Sequence, residues 1–228
     1  NKKETKTVCF MAHNVSYDIR FIIPHIYGLK LTHRSSSNIV GGESFFKPIK
    51  GQPKMKLTFK DSWAMINFPL KEFSTIFGLN YKKDIIPYEA YNNNECYNMN
   101  NMMKINDCVK KESGYIDIKD KKEFIQNIKD WKLINKTGTK FYHVKYAARY
   151  CEHDVDLMMD GYFKFREWIL KDFELDINNY LTISSLADDV MRKRGCYNGC
   201  YQISGIPREF ISKCIVGARC MTRANKKK

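Results

Sequence analysis

Between residues 54 and 60 apolar and polar positions alternate without a break. Met55, Leu57 and Phe59 fall on one side of an extended chain, and Lys54, Lys56, Thr58 and Lys60 fall on the other. A period of two predicts a strand with one buried face, here with a basic outer surface. Upstream, Val8-Cys9-Phe10-Met11-Ala12 is an uninterrupted apolar run, the pattern of a strand covered on both faces. It ends at a turn around Asn14. Asp18 then opens a helix whose apolar residues Phe21, Ile22 and Ile26 recur at helical spacing, with Gly28 as its stop. After the 54–60 strand a second helix is expected, with Leu70, Phe73, Ile76 and Phe77 inward and Gly78 at its end.

Residues 91–102 are Asn-rich and hold few apolar side chains to offset ordering entropy, which predicts a surface insertion near 91–110. Helical spacing returns over 122–131 through Phe124, Ile128 and Trp131. It returns again over 144–173, where Gly161 is a candidate break. A helix over 182–194 is closed by Gly195, and Pro207 suits the first turn of a short one. Strands mixed with long helices predict an α/β layer architecture. The organisation expected is a larger domain over 1–178 and a shorter, mostly helical segment over 179–228.

Charge narrows the partners. Lys and Arg number 39 against 25 Asp and Glu, a formal charge of +14, which favours polyanions. No apolar run approaches the roughly 18–20 residues of a bilayer span, and 1–7 is polar and basic rather than a secretory leader. An intracellular protein with no membrane partner is expected. Of eight cysteines, the last four, at 196, 200, 214 and 220, lack the two-residue knuckle of zinc ribbons, so reduced thiols are the reading.

The candidate chemistry lies in two short segments. Asn14-Val15-Ser16-Tyr17-Asp18 puts a carboxylate just past a strand, and Tyr150-Cys151-Glu152-His153-Asp154 puts Tyr150 and Asp154 on one helix face, four residues apart. These resemble the second and third exonuclease motifs of family B DNA polymerases, N-x-x-[FY]-D and Y-x-x-x-D. Three further segments are similar to motifs of the protein-primed branch. Asp61-Ser62-Trp63 sits where a single-strand-binding motif has its hydroxyl, at Ser62, with Trp63 replacing Leu. Lys82-Lys83-Asp84-Ile85 resembles K-x-x-hydrophobic, with Lys82 as the matching position. Val216-Gly217-Ala218-Arg219 resembles a template-contacting Y-x-G-G/A turn, with Ile215 in place of Tyr.

The resemblance implies a ribonuclease H-like 3′–5′ exonuclease domain, incomplete at its N-terminus, followed by the start of a polymerase domain. It implies that Asp18 and Asp154 bind two Mg²⁺ or Mn²⁺ ions with further carboxylates, since hard cations need several oxygen ligands. Tyr150 would orient the attacking water, and Lys82 would neutralise charge near the scissile phosphate. Asn14, Tyr17, Ser62, Lys56, Gly217 and Arg219 would contact DNA. Partners implied are a single-stranded 3′ end or primer-template, deoxynucleotides and a terminal protein primer. The non-Met start and the missing D-x-E before Asn14 suggest that this is a fragment, with that acidic pair upstream and D-x-x-S-L-Y-P downstream. Two alternatives stay open: a stand-alone 3′–5′ exonuclease of the same fold, and a non-catalytic basic module that binds single-stranded DNA.

Overall fold

The computed structural model describes residues 6–26, 28–35, 38–46, 55–92, 99–201, 203–216 and 219–220. The chain divides into two compact units, 1–186 and 187–228. In the first, β1 (Lys6–Ala12), β2 (Lys30–Ser35), β3 (Asn38–Phe46) and β4 (Met55–Asp61) form a four-stranded sheet in the order β1-β4-β3-β2. β2 and β3 form an antiparallel pair, and β3 runs antiparallel to β4. β4 runs parallel to β1, in register from Lys6 opposite Met55 to Ala12 opposite Asp61. The alternation of β4 is realised from Leu57 onward: Leu57, Phe59 and Asp61 are buried, while Lys56, Thr58 and Lys60 are half-buried on the opposite face, and Met55, expected inward, is 37 % exposed at the strand's start.

Two expectations for this region are corrected. Among the described residues β1 pairs only with β4, so the apolar run is an edge strand. Phe10 is 49 % exposed and rests its ring on Phe59. The first helix, α1 (Val15–Ile22), starts three residues before Asp18 and buries Val15 and Ile19 against Leu57 and Phe59. That phase turns Phe21 outward, and a 3-10 turn over Ile23–His25 with Pro24 ends the α-helix well before Gly28.

α2 (Phe73–Phe77) closes at Gly78, whose φ of 62° and N–H bond to Ser74 O make the left-handed helix stop expected there. A second apolar cluster gathers around β5 (Met102–Lys104), α3 (Lys121–Asp130) and β6 (Lys140–Tyr142), with Phe124, Ile128, Phe141 and Tyr146 each 0 % exposed. Burying each contributes about 1.5–3 kcal/mol. Ile105 and Cys108 belong to this cluster, so these two residues anchor the expected insertion near 91–110 in the core, while Asn92, Met99, Lys104, Asn106 and Asp107 are exposed; residues 93–98 lie outside the described residues. A run of Asn before them hid how few apolar anchors such a segment needs.

α4 (His143–Phe173) is unbroken over 31 residues, which corrects the break expected at Gly161. Gly161 is there for packing: a Cβ would stand 2.4 Å from Phe73 Cδ2 and 3.0 Å from Phe77 Cδ2. α2 thus lies directly on the α4 backbone, in a core that also holds Met65, Ile66, Leu157 and Ile177. Arg166 grips Asp176 through two N–H groups, at 2.8 and 2.7 Å, and holds that carboxyl at about 2.

α5 (Ile183–Lys193) is capped by Thr182, whose Oγ1 accepts the Ser185 N–H, and the division between the units falls within it. The second unit adds α6 (Gly205–Cys214), with Pro207 in its first turn, and a short antiparallel pair, β7 (Ile215–Val216) and β8 (Arg219–Cys220). No described helix is long and apolar enough to cross a membrane.

Gly161→Ala should destabilise the protein by about 1–3 kcal/mol despite alanine's better helix propensity, because two ring edges must move. Urea unfolding midpoints read the effect. Adding Phe73→Leu should recover part of it, and a Gly161→Ala midpoint at or above wild type would contradict the packing account.

Candidate active site

Because β1 and β4 are parallel and in register to their last residues, the turns leaving both strands emerge side by side. Asp61 ties them together. It is 4 % exposed, and its Oδ1 accepts the N–H of Asn14 at 2.8 Å and that of Trp63 at 3.0 Å. Burial pushes its pKa up, against the opposing pull of these N–H groups and of His13. Asn14 sits at φ 73°, ψ 58°, a left-handed conformation that Asn tolerates better than most residues.

His13 makes the second tie. Nδ1 lies 3.0 Å from Ser62 Oγ and Nε2 lies 3.0 Å from the Phe68 carbonyl. A carbonyl only accepts, so the neutral ring carries its proton on Nε2 and accepts a hydrogen bond from the Ser62 hydroxyl at Nδ1. The ring also meets Trp63 at 5.0 Å and Phe73 at 5.2 Å, both edge-on. Burial lowers the His13 pKa and the Lys83 charge acts in the same sense, while Phe68 O and Asp61 oppose.

Outside these ties lies an open cleft of about 530 Å³, lined by His13, Asn14, Ser16, Tyr17, Arg20, Asn38 and Trp63. Ser16 Oγ accepts the Ile39 N–H at 2.9 Å and fixes α1 to β3. Tyr17 and Phe21 are 62 % and 67 % exposed with rings 5.6 Å apart. Exposed aromatics beside an exposed Arg20 suit unpaired bases and phosphates.

The other half of the candidate chemistry is on α4. Tyr150 is 4 % exposed, and its hydroxyl is 2.8 Å from that of Tyr88, which is 59 % exposed. Burial, that hydrogen bond and the Asp154 charge push the Tyr150 pKa far up. One turn on, Asp154 Oδ2 pairs with the Lys83 ammonium, which also stands 4.7 Å over the Tyr150 ring. Lys83 is aimed there because the next residues are clamped. Asp84 takes Asn127 Nδ2 at 3.0 Å and faces His153 Nδ1 at 2.8 Å, and Ile85 O takes the Tyr146 hydroxyl at 2.6 Å.

The placement of each sequence-predicted residue follows from this frame. Asn14, Tyr17 and Ser62 are brought together at the ends of β1 and β4, and Tyr150 and Asp154 share one face of α4. Asp18 is exposed in the first turn of α1. Three of these residues have side-chain partners within the protein. Lys82 pairs with Glu123 at 2.9 Å, and the neighbouring Lys83 pairs with Asp154. Ser62 is 1 % exposed and donates its hydroxyl to His13, with the Ala12 carbonyl 3.2 Å away, leaving Trp63, half-buried, to face the cleft. Lys56 pairs with Glu43 at 2.7 Å. Gly217 lies outside the described residues, and Arg219 is described only as backbone in β8. Sequence reading missed Asp61, His13, Lys83 and Tyr88. The signal for Asp61 was present, since it shares the inward parity of Leu57 and Phe59.

For a metal, the donor chemistry fits and the ligand number does not. Asp154 Oδ1 is buried without a hydrogen-bond partner, and a cationic group already stands at Oδ2. Yet among the described residues no three His, Cys, Asp or Glu side chains surround one point. A two-metal centre needs more carboxylate than these residues assemble.

Comparison with known proteins gives a match to a family model. The family model described as DNA polymerase type B, organellar and viral, matches residues 2–228. No curated protein and no solved structure matches.

The depressed His13 pKa carries a sign. The native state prefers the neutral ring, so its contribution is complete above the ordinary 6.5 and is lost as pH falls through the lower native value. The urea midpoint should therefore fall between about pH 7.5 and about pH 5.5, and His13→Asn should flatten that slope. His143, also lowered by burial, leaves a residual slope. Asp61, with its pKa raised, acts with opposite sign nearer the carboxylate range. An undiminished slope in the variant would rule out His13 as the titrating group.

Proposed function

The chain belongs to the organellar and viral type B DNA polymerases, a family of nucleotidyltransferases that work on DNA with nucleotides, and from that premise we propose that it is the proofreading region of a protein-primed member. In this reading residues 1–178 form a ribonuclease H-like 3′–5′ exonuclease domain and residues 179–228 begin the polymerase domain. The observation that carries it is the trio on and against α4: the Asp154 carboxylate, the Tyr150 hydroxyl one turn away, and the Lys83 ammonium in contact with both side chains. A carboxylate, a hydroxyl and a mobile cation are what hydrolysis of a phosphodiester asks of its surroundings.

The cleft at the ends of β1 and β4 would hold the single-stranded 3′ end, with Tyr17 stacking on a base and Arg20 meeting a phosphate. Phe73 connects the two places, since its ring touches His13 and packs on α4 at Gly161. The charge of Lys83 is also felt at His13. Tyr150, kept protonated by burial, would hydrogen-bond to the attacking water and orient it. Mg²⁺ or Mn²⁺, when bound, supplies an activated water and stabilises the leaving oxygen. Asp18 and Asp154 would hold it together with an acidic pair outside the described residues. A terminal protein as primer belongs to the same proposal.

In the full-length protein, Asp154→Ala and Asp18→Ala should each slow removal of a mispaired 3′ nucleotide by about 10²–10³-fold, with primer extension retained. Gel analysis of an end-labelled mismatched primer separates the two activities, and trimming that survives Asp154→Ala would sink the assignment.

Binding of single-stranded oligonucleotides gives a second test. Tyr17→Ala should cost about 1–3 kcal/mol at every salt concentration, the scale of one base stacked on a ring. Arg20→Gln should lower the slope of log K against log salt by about 0.7. Fluorescence anisotropy across a salt series reads both, and unchanged affinity in both variants would move the DNA path elsewhere.

A further inference from the structure

On the outer face of the pair formed by β5 and β6, two lysines stand opposite each other. Met103 and Phe141 turn inward to the second apolar cluster, and a period of two puts Met102, Lys104, Lys140 and Tyr142 on the other side. Lys104 and Lys140 are direct cross-strand partners and both are exposed. Like charges in that position push a strand pair apart. Among the described residues no carboxylate pairs with either ammonium, and the exposed Asp107, the acid nearest Lys104 along the chain, forms no ion pair. The turn that leads into β6 is braced, since Asn135 Oδ1 accepts the N–H groups of Thr139 and Lys140 at 3.0 Å each, and it exposes Lys136. Farther along, Lys145 stands 4.7 Å over the Tyr142 ring. Beyond it the surface turns mixed, where Arg149 pairs with Glu152 at 2.8 Å.

We propose that this face is a second nucleic-acid site, one that takes the sugar-phosphate backbone of duplex DNA. A phosphate set between Lys104 and Lys140 turns their repulsion into two charge-assisted contacts, so the anion gains what the free strand pair loses. Lys136 and Lys145 extend the row of cations at its two ends. Tyr142, the ring on this face, already carries the Lys145 ammonium, so the site reads charge rather than stacking on unpaired bases. Duplex DNA presents that charge most densely, at one phosphate per about 1.7 Å of helix axis. The site is built from other elements than the cleft at the ends of β1 and β4, and it does not rest on the exonuclease reading above.

The test is fluorescence anisotropy of a labelled, blunt-ended DNA duplex across a salt series, with the purified chain as wild type and as two double variants. Lys104→Gln with Lys140→Gln should lower the slope of log K against log salt by about 1.8, two phosphate contacts at about 0.9 each. Lys129→Gln with Lys171→Gln removes the same charge from exposed positions elsewhere and should leave the slope at its wild-type value. An unchanged duplex slope in the first variant overturns the site. An equal fall in both variants overturns it as well, because diffuse attraction to a basic chain would then account for the binding. Without DNA and at low salt, the first variant should melt at or above the wild-type temperature, since the repulsion between the strands is gone. Should it melt early by circular dichroism, amine-reactive labelling of the wild type, read by peptide mass spectrometry, decides alone. Lys104 and Lys140 should lose reactivity when the duplex is added while Lys129 keeps it, and Lys104 and Lys140 reactivity that ignores saturating duplex overturns the proposal.

Discussion

One carboxylate oxygen at the end of β4 sets the geometry from which the rest follows. Asp61 Oδ1 receives the N–H of Asn14 from one turn and the N–H of Trp63 from the other, and so welds the exits of two parallel strands into a single corner. Hydrogen bonds to a charged, buried acceptor are among the stronger ones, roughly 1.5–3 kcal/mol each. They repay part of the cost of burying the charge. With Asn14 held in its left-handed turn, α1 must start at Val15. Its phase then fixes which side chains go into the sheet and which face away from it: Val15 and Ile19 inward, Tyr17, Arg20 and Phe21 outward, the first two of these lining the cleft.

The second constraint is steric. α4 can carry Tyr150 and Asp154 on one continuous face because nothing interrupts its hydrogen-bond ladder, and α2 can press against it because residue 161 has no side chain. Phe73, brought that close, reaches on to the His13 ring. A rigid helix and a tight corner are thereby joined through one aromatic side chain. This is how a polymerase-family chain can keep chemistry-bearing groups from distant segments within one packed unit.

Electrostatics then distributes the lysines. The formal charge of +14 invites the view that every Lys on an exposed strand is a phosphate contact. Lys56 and Lys82 instead have carboxylate partners, and Lys60 donates to the Asn178 carbonyl. The cation that stands beside the candidate chemistry is one residue further along the Lys-Lys pair, because the clamp on Asp84 turns that residue, and with it Lys83, toward α4.

Periodicity alone determined that 55–60 is a strand with Leu57 and Phe59 inward. It determined the helices over 122–131 and 182–194 to within a residue or two, and the stop at Gly78, because these depend on contacts close in sequence. It also determined that Tyr150 and Asp154 share a face, since four residues along a helix is a fixed rotation. It could not determine that β1 is an edge, that α4 runs through Gly161, or that Ser62 points inward. Each of those depends on which distant element lies alongside: β4 for β1, Phe73 for Gly161, His13 for Ser62. The choice of Lys83 over Lys82 was beyond it for the same reason. Two adjacent identical side chains carry no local signal to tell them apart, and only the packing of the following residues between α3 and α4 aims one of them at Asp154 and the other at Glu123.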